Sequence, residues 1–270
     1  FPVYNLNLGD ILTDCGNLEE AKKFYLKAIE LKPDLSAAYY RFARNLLQTG
    51  ELELSLKYFK ESAELVRGKK NVRSNNIVFK KISKVKIEHD IEQMEYLIWQ
   101  GYETNKFSNL VLNYKKVATE INWKSESQII SLSDKYHSLI KDSYNRLIHQ
   151  IEVHRLEKGA INNSLNVEKI TNDYFDHEFG LTYIDDFLMP TAMESLRKFL
   201  LESTIWFDIK ENGWIGAYLG EGLANPLILQ LADELRKKFP KIFKEHFIKQ
   251  IWAYKYDSRA KKEGSSLSGI

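Results

Sequence analysis

Six histidines, one cysteine and one pair of adjacent aspartates are the groups from which this chain could assemble a reactive centre. The histidines are His89, His137, His149, His154, His177 and His246, and the cysteine is Cys15. Two metal ligands on one helical face need a spacing of four. His149 and His154 are five apart, and no carboxylate motif completes a site around them or around His137. All three read as surface or satisfied histidines. A lone cysteine excludes an internal disulfide and a cysteine-ligated zinc site. Cys15 falls at a turn, which argues against a nucleophile. No glycine-rich phosphate loop and no Gly-x-Ser-x-Gly elbow occurs. Gly213, Gly216, Gly220 and Gly222 straddle a predicted hairpin instead. Asp185-Asp186 reads as turn chemistry. Lys255, Arg259, Lys261 and Lys262 form a basic cluster that reads as solvated charge. Trp206, Trp214 and Trp252 read as core or sheet packing. By residue type and spacing, the sequence names no catalytic group and no metal ligand.

The elements that would position such groups are easier to read. The chain has 270 residues, 44% hydrophobic and 28% charged. That excludes a disordered tail, a collagen-like fibre and a disulfide scaffold, and the length suits about two domains. Lys and Arg total 39 against 37 Asp and Glu, a net charge of +2. The near-balance gives no case for nucleic acid. No uncharged apolar run reaches the roughly 18 residues of a spanning helix, so no membrane partner is expected. One cysteine fits a cytoplasmic compartment. The first residue is Phe1, and the chain reads as cut at its start.

Leu8-Gly9, Gly16, Ala21, Tyr25, Ala28 and Pro33 stand at the spacings of a helical repeat. One repeat later, a shift of about 34 residues, the same frame gives Phe42-Ala43, Gly50, Ser55, Phe59 and Ser62. Small residues mark close helix approaches, and large apolar ones fill grooves. Gly16 and Gly50 mark turns that need a positive φ. Pro33 ends a helix, and Asp34 and Ser36 offer caps for the next. The pattern predicts helices over 4–14, 18–31, 35–48 and 52–66. Residues 3–66 resemble the tetratricopeptide repeat family, a helical solenoid that binds a peptide or protein partner. About three repeats usually make a stable stack, so a further N-terminal repeat is expected.

Beyond a polar, basic break at 67–76, apolar spacing predicts helices over 86–103, 106–120 and 126–150, a helical adaptor filling 67–154. Residues 155–169 read as a linker. The period then changes. Strands are predicted at 181–187, 205–209, 214–219 and 251–257, with a hairpin turn at Glu211-Asn212-Gly213. Helices are predicted from Pro190 to Glu202, from Asn225 to Phe239, and briefly after Pro240.

Gly180 to Pro190, the helix carrying Leu196 to Leu200, and the alternating run Ile251 to Asp257 resemble the opening of the prolyl-hydroxylase-like iron(II)/2-oxoglutarate-dependent oxygenases. The likeness spans about 172–270. It implies that the longer protein hydroxylates a substrate with iron(II) and 2-oxoglutarate, and that Tyr254 and Tyr256 lie near the cofactor. It also implies that 170–270 form the front of a double-stranded β-helix. That family holds iron with a His-x-Asp/Glu pair and a distant His. None of the six histidines here has an acid two places later. The expectation is therefore an α+β chain: an all-α repeat solenoid over 1–66 followed by an incomplete α+β domain. It would be an inactive fragment, with no bound cofactor, lacking the catalytic half of the barrel. A non-enzymatic repeat scaffold that binds protein is the alternative.

Overall fold

A computed structural model describes residues 1–68, 77–210, 213–244, 246 and 248–256. In chain order the helices are α1 (Pro2–Asp14), α2 (Leu18–Leu31), α3 (Ser36–Gln48), α4 (Leu52–Arg67), α5 (Lys84–Trp99), α6 (Thr104–Glu120), α7 (Asp134–Ile140), α8 (Val167–Asp176), α9 (Pro190–Glu202), α10 (Pro226–Lys238) and α11 (Pro240–Phe243). The strands are β1 (Lys81–Ile82), β2 (Ile130–Ser131), β3 (Asp208–Ile209), β4 (Trp214–Tyr218) and β5 (Trp252–Tyr256). Contacts gather the chain into two units, each drawn from three separate stretches. The first holds Phe1–Val66, Ile151–Leu201 and Leu219–Ile251; the second holds Arg67–Gln150, Glu202–Tyr218 and Trp252–Ile270. Residues 170–270 thus contribute to both.

In the first unit, α1 to α4 fold as two antiparallel hairpins at the spacing read from the sequence. Gly16 and Gly50 take φ values of +79° and +82°. Behind each, an amide reaches back over the helix end, Asn17 to the Leu12 carbonyl at 2.8 Å and Glu51 to Leu46 at 2.9 Å. This closure needs a left-handed residue that only glycine adopts cheaply. Leu6, Ala21, Tyr25, Ala28, Ala38, Phe42 and Leu46 form one buried cluster. Leu35, between the expected Asp34 and Ser36, holds the cap position of α3 and makes no side-chain cap bond.

Two sequence expectations fail in this unit. Residues 181–187 are not a strand. Asp185 and Asp186 form a turn with Asp186 at φ +51°, and only Leu188 makes a bridge, to Ile161. Ile184 and Phe187 pack instead around Ile170, Phe239 and Ile242. The predicted linker is not free either. Its end becomes α8, capped by Asn166, whose side chain accepts from Lys169 N at 2.9 Å. Residues 156–161 are strapped to α10: Gln230 exchanges two 2.8 Å bonds with the Leu156 backbone, and Glu234 accepts from Ala160 N and Ile161 N at 2.8 and 2.9 Å.

The second unit packs α5, α6 and α7 around Ile87, Met94, Leu97, Phe107, Tyr114, Ile140 and Tyr144. The expected helix over 126–150 shrinks to α7. Ile130 and Ser131 pair with Ile82 and Lys81, and Ser133 caps α7 by accepting from Tyr136 N at 3.5 Å. After Ile140 the chain turns, with Asn145 at φ +55°. Tyr144 Oη then donates to the Lys81 carbonyl at 2.6 Å and Arg146 Nη1 to the Gly68 carbonyl at 3.1 Å. These bonds to sequence-distant backbone outweigh a helical apolar spacing. The second sheet is an antiparallel meander, β3-β4-β5. Among the described residues it has three strands, and nothing in it shows a double-stranded β-helix. The predicted strand 205–209 keeps only its last two residues. The rest of the basic break (69–76), residues 211 and 212 of the hairpin turn, and the tail from 258 lie outside the described residues.

Gly9 offers a test of the hairpin packing. A Cβ there would stand 2.6 Å from the Tyr25 ring, so Gly9→Ala should cost about 1–3 kcal/mol as an overpacked contact. The check is the shift of the urea midpoint, followed by helical circular dichroism.

Candidate functional site

The sequence placed its site residues on β5, and the meander shows what they do there. Trp214 pairs with Tyr256, Gly216 with Tyr254 and Tyr218 with Trp252. Alternation sends all these side chains to one face. Tyr254 lies over Gly216, where a Cβ would be 2.9 Å from its ring. Trp214 meets Tyr256 at 4.9 Å and Tyr254 at 6.2 Å between ring centroids. Tyr218 Oη donates to Asp208 Oδ2 at 2.8 Å and lies 2.9 Å from Tyr254 Oη. Burial, together with Tyr254 and the Asp208 carboxylate, pushes the Tyr218 hydroxyl far up. Cross-strand aromatic pairs of this kind stabilise a sheet. Tyr254 and Tyr256 remain half exposed.

The opposite face of β5 carries an arrangement that the sequence did not announce. Lys86, His89, Asp90 and Gln93 share one side of α5, spaced as one helical face. Lys86 is 2% exposed. Its ammonium is ion-paired with Asp90 and stands 5.2 Å over the Tyr144 ring. His89 Nδ1 lies 3.1 Å from Asp90 Oδ1, and Lys255 Nζ lies 3.2 Å from His89 Nε2. The Lys255 ammonium also sits 4.3 Å above Trp206. A carboxylate only accepts and an ammonium only donates. The partners therefore fix the histidine as neutral, with Nδ1–H donating to Asp90 and Nε2 accepting from Lys255.

The titration behaviour agrees. Burial lowers His89 to about 4, and the Lys255 charge adds to that against the pull of Asp90. Burial lowers Lys255 to about 8 and also lowers Lys86. Burial alone would raise Asp90, but Lys86 and His89 hold it below the usual carboxylate range. The cavity beside this array measures about 20 Å³, lined by Lys86, Asp90, Tyr114, Ser143 and Asn145 among others. That is room for about one water. The array reads as a structural device that fixes α5 to β5, not as a substrate site. Its sequence signal was Lys86 and Asp90 at i,i+4 within the apolar pattern of α5.

The remaining expectations are quickly placed. Trp206 is buried, while Trp214 and Trp252 are exposed on the meander. Arg259, Lys261 and Lys262 lie outside the described residues. Cys15 is exposed at the α1 turn. Burial lowers His137 and His149. Among the described residues no three His, Cys, Asp or Glu side chains gather as a metal site. They offer no fit for iron. No described helix is long and apolar enough to cross a membrane. A second hollow of about 660 Å³ lies between residues 155–163 and α10, but its inward Gln230 and Glu234 are already engaged with backbone.

The repeat hairpins have their own surface. Tyr25 Oη donates to Asp10 Oδ1 at 3.0 Å and lies 2.9 Å from Thr13 Oγ1. Asp10 is ion-paired with Arg41 of α3. Burial pushes the Tyr25 hydroxyl up to about 12. On the outside of α1, Tyr4, Leu8 and Ile11 are exposed. Comparison with known families matches the tetratricopeptide repeat over residues 3–35. No curated protein and no solved structure matches the chain.

The His89 array predicts an acid limb in stability. An unfolded histidine titrates near 6.5, and the folded one near 4. Between these values the unfolded chain binds the extra proton, so stability is full above about 6.5 and falls as pH drops toward 4. The loss is at most about 3 kcal/mol. The urea midpoint of the parent should fall between pH 7 and pH 4.5, and His89→Gln should remove part of that fall; His137 and His149, and carboxylates held below their ordinary range such as Glu234, contribute to the rest.

Proposed function

We propose that this chain is a protein-interaction module whose tetratricopeptide hairpins hold a partner polypeptide. The observation that carries the reading is the repeat match over 3–35 on a hairpin that leaves Tyr4, Leu8 and Ile11 at its surface. Repeat stacks present rigid, shaped faces from adjacent helices, and that is their physical suitability for binding polypeptide. The oxygenase reading has no comparable support. Ile184, Phe187 and Tyr254, which helped to carry that likeness, have packing roles in the fold, and no ligand set accompanies them among the described residues.

A displayed random-peptide library panned against the intact chain tests the reading. Enriched peptides should slow amide exchange within residues 2–67. No enrichment over a blank surface, or protection confined to residues 77–150, would overturn it.

A further inference from the structure

The run 175–183, around the end of α8, puts four large apolar side chains in water. Phe175, Phe179, Leu181 and Tyr183 are 59%, 80%, 63% and 86% exposed. Single exposed apolar residues are ordinary. Four within nine residues are of the kind that marks an interaction site. The base beneath them is fixed. Tyr174 lies over Gly180, where a Cβ would stand 3.1 Å from its ring. Tyr174, Ile184 and Phe187 pack against Ile170, Phe239 and Ile242, and the Phe187 carbonyl accepts from Asn162 N at 2.9 Å. Packed neighbours therefore hold the exposed side chains outward.

Residues 181–184 keep the period of a strand without a partner strand. Leu181 and Tyr183 are exposed, while Thr182 and Ile184 are partly buried, the alternation of a strand with one wet face. Among the described residues, none of these four amides finds an acceptor. Extended backbone with unpaired polar groups is a template for adding a strand. The surrounding charge is of one sign. Between residues 170 and 196 stand six Asp or Glu and no Lys or Arg, in a chain of net charge +2. Asp176, Glu178, Asp185 and Asp186 flank the apolar run, are exposed, and make no ion pair among the described residues. That charge decides the occupant. It repels nucleic acid and an anionic lipid surface. A second copy meeting it across a two-fold axis would set acid against acid. A polypeptide that alternates Lys or Arg with apolar residues matches both the acids and the apolar side chains between them.

We infer that residues 175–186 form a docking edge for an extended, basic polypeptide segment. The segment adds a strand along 181–184 and covers Leu181 and Tyr183 with its apolar side chains. Its cations meet Asp176 and Glu178 at one end and Asp185 and Asp186 at the other. This surface is separate from the repeat hairpins, so the inference goes beyond the interaction-module reading and does not rest on it.

The probe is a short peptide alternating Lys with Val, added to the intact chain while amide exchange is followed along its whole length. Exchange at 181–184 should slow by about tenfold or more, and salt at about 0.5 M should reverse most of the slowing. The same peptide with Glu for Lys should leave exchange unchanged, and so should a fully N-methylated version, which keeps the side chains and loses the backbone donors. Leu181→Asp with Tyr183→Asp should abolish the slowing, and Asp176→Lys with Glu178→Lys should reduce it. All four positions are exposed, and circular dichroism checks that each variant keeps its fold. Unchanged exchange at 181–184 overturns the inference, as does equal slowing by the Glu peptide or the N-methylated one. Slowing confined to 2–67 overturns it too, while sustaining the repeat-hairpin reading. A dimer of the chain alone that Tyr183→Asp converts to monomer in sedimentation also overturns it, because a second copy would then be the occupant.

Discussion

The repeat hairpins depend on the approach of Tyr25 to Gly9. The glycine lets the ring lie against the α1 backbone, closer than any side chain would permit. That closeness brings the Tyr25 hydroxyl to Thr13 and Asp10, and Asp10 is then placed to pair with Arg41. One steric allowance thus ties α2 to α1 and α1 to α3. A buried hydroxyl without a partner would cost free energy comparable to a lost hydrogen bond, so the polar links keep the close contact from becoming a liability. Apolar surface alone would hold the helices together without fixing how they cross.

The second unit handles a harder problem. Moving charges out of water costs several kcal/mol per ion, and a buried pair recovers this only with good geometry and satisfied hydrogen bonds. Lys86, Asp90, His89 and Lys255 meet that condition in sequence, each donor aimed at an acceptor. Neutral His89 lets Asp90 take two donors without adding a fourth charge to the two ammoniums and the carboxylate. The order of donors and acceptors admits one pairing, so the array specifies which face of β5 meets α5. The neighbouring cavity holds no more than about one water. Perturbed titration here reflects packing, although such shifts also mark reactive centres elsewhere.

What was legible in the sequence was local. Gly16, Gly50, Pro33, Pro190 and Pro226 act through the backbone of their own residue, and the helices they bound match the reading closely. The helix expected over 126–150 failed although its apolar residues do have helical spacing. Tyr144, Asn145 and Arg146 bond instead to the backbone of Lys81, Val78 and Gly68, far away along the chain. No local window can show that. The α8 cap was visible in principle, since Asn166 stands before a polar-apolar helical pattern. The buried array was hidden by habit: Lys, His and Asp on a helix suggest a wet face, and their place inside the apolar pattern was the only clue.

The two family resemblances differ in kind, and the structure shows why. The repeat likeness rests on residues with a physical reason at each position: glycine for a left-handed turn, alanine for a close approach, an aromatic for a groove. Those reasons act again one repeat later, so the pattern tests itself. The oxygenase likeness rests on alternating aromatics in Ile251 to Asp257 and an apolar run before Pro190. Alternating aromatics satisfy any twisted antiparallel sheet with a glycine to cover, as Tyr254 covers Gly216. Ile184 and Phe187 satisfy any helix-lined cluster, as they do around Phe239 and Ile242. Residue types that a common packing problem already explains carry little information about chemistry. In such a case a reactive site is argued from the groups that would react, and a docking surface from the apolar and charged groups left outside the core.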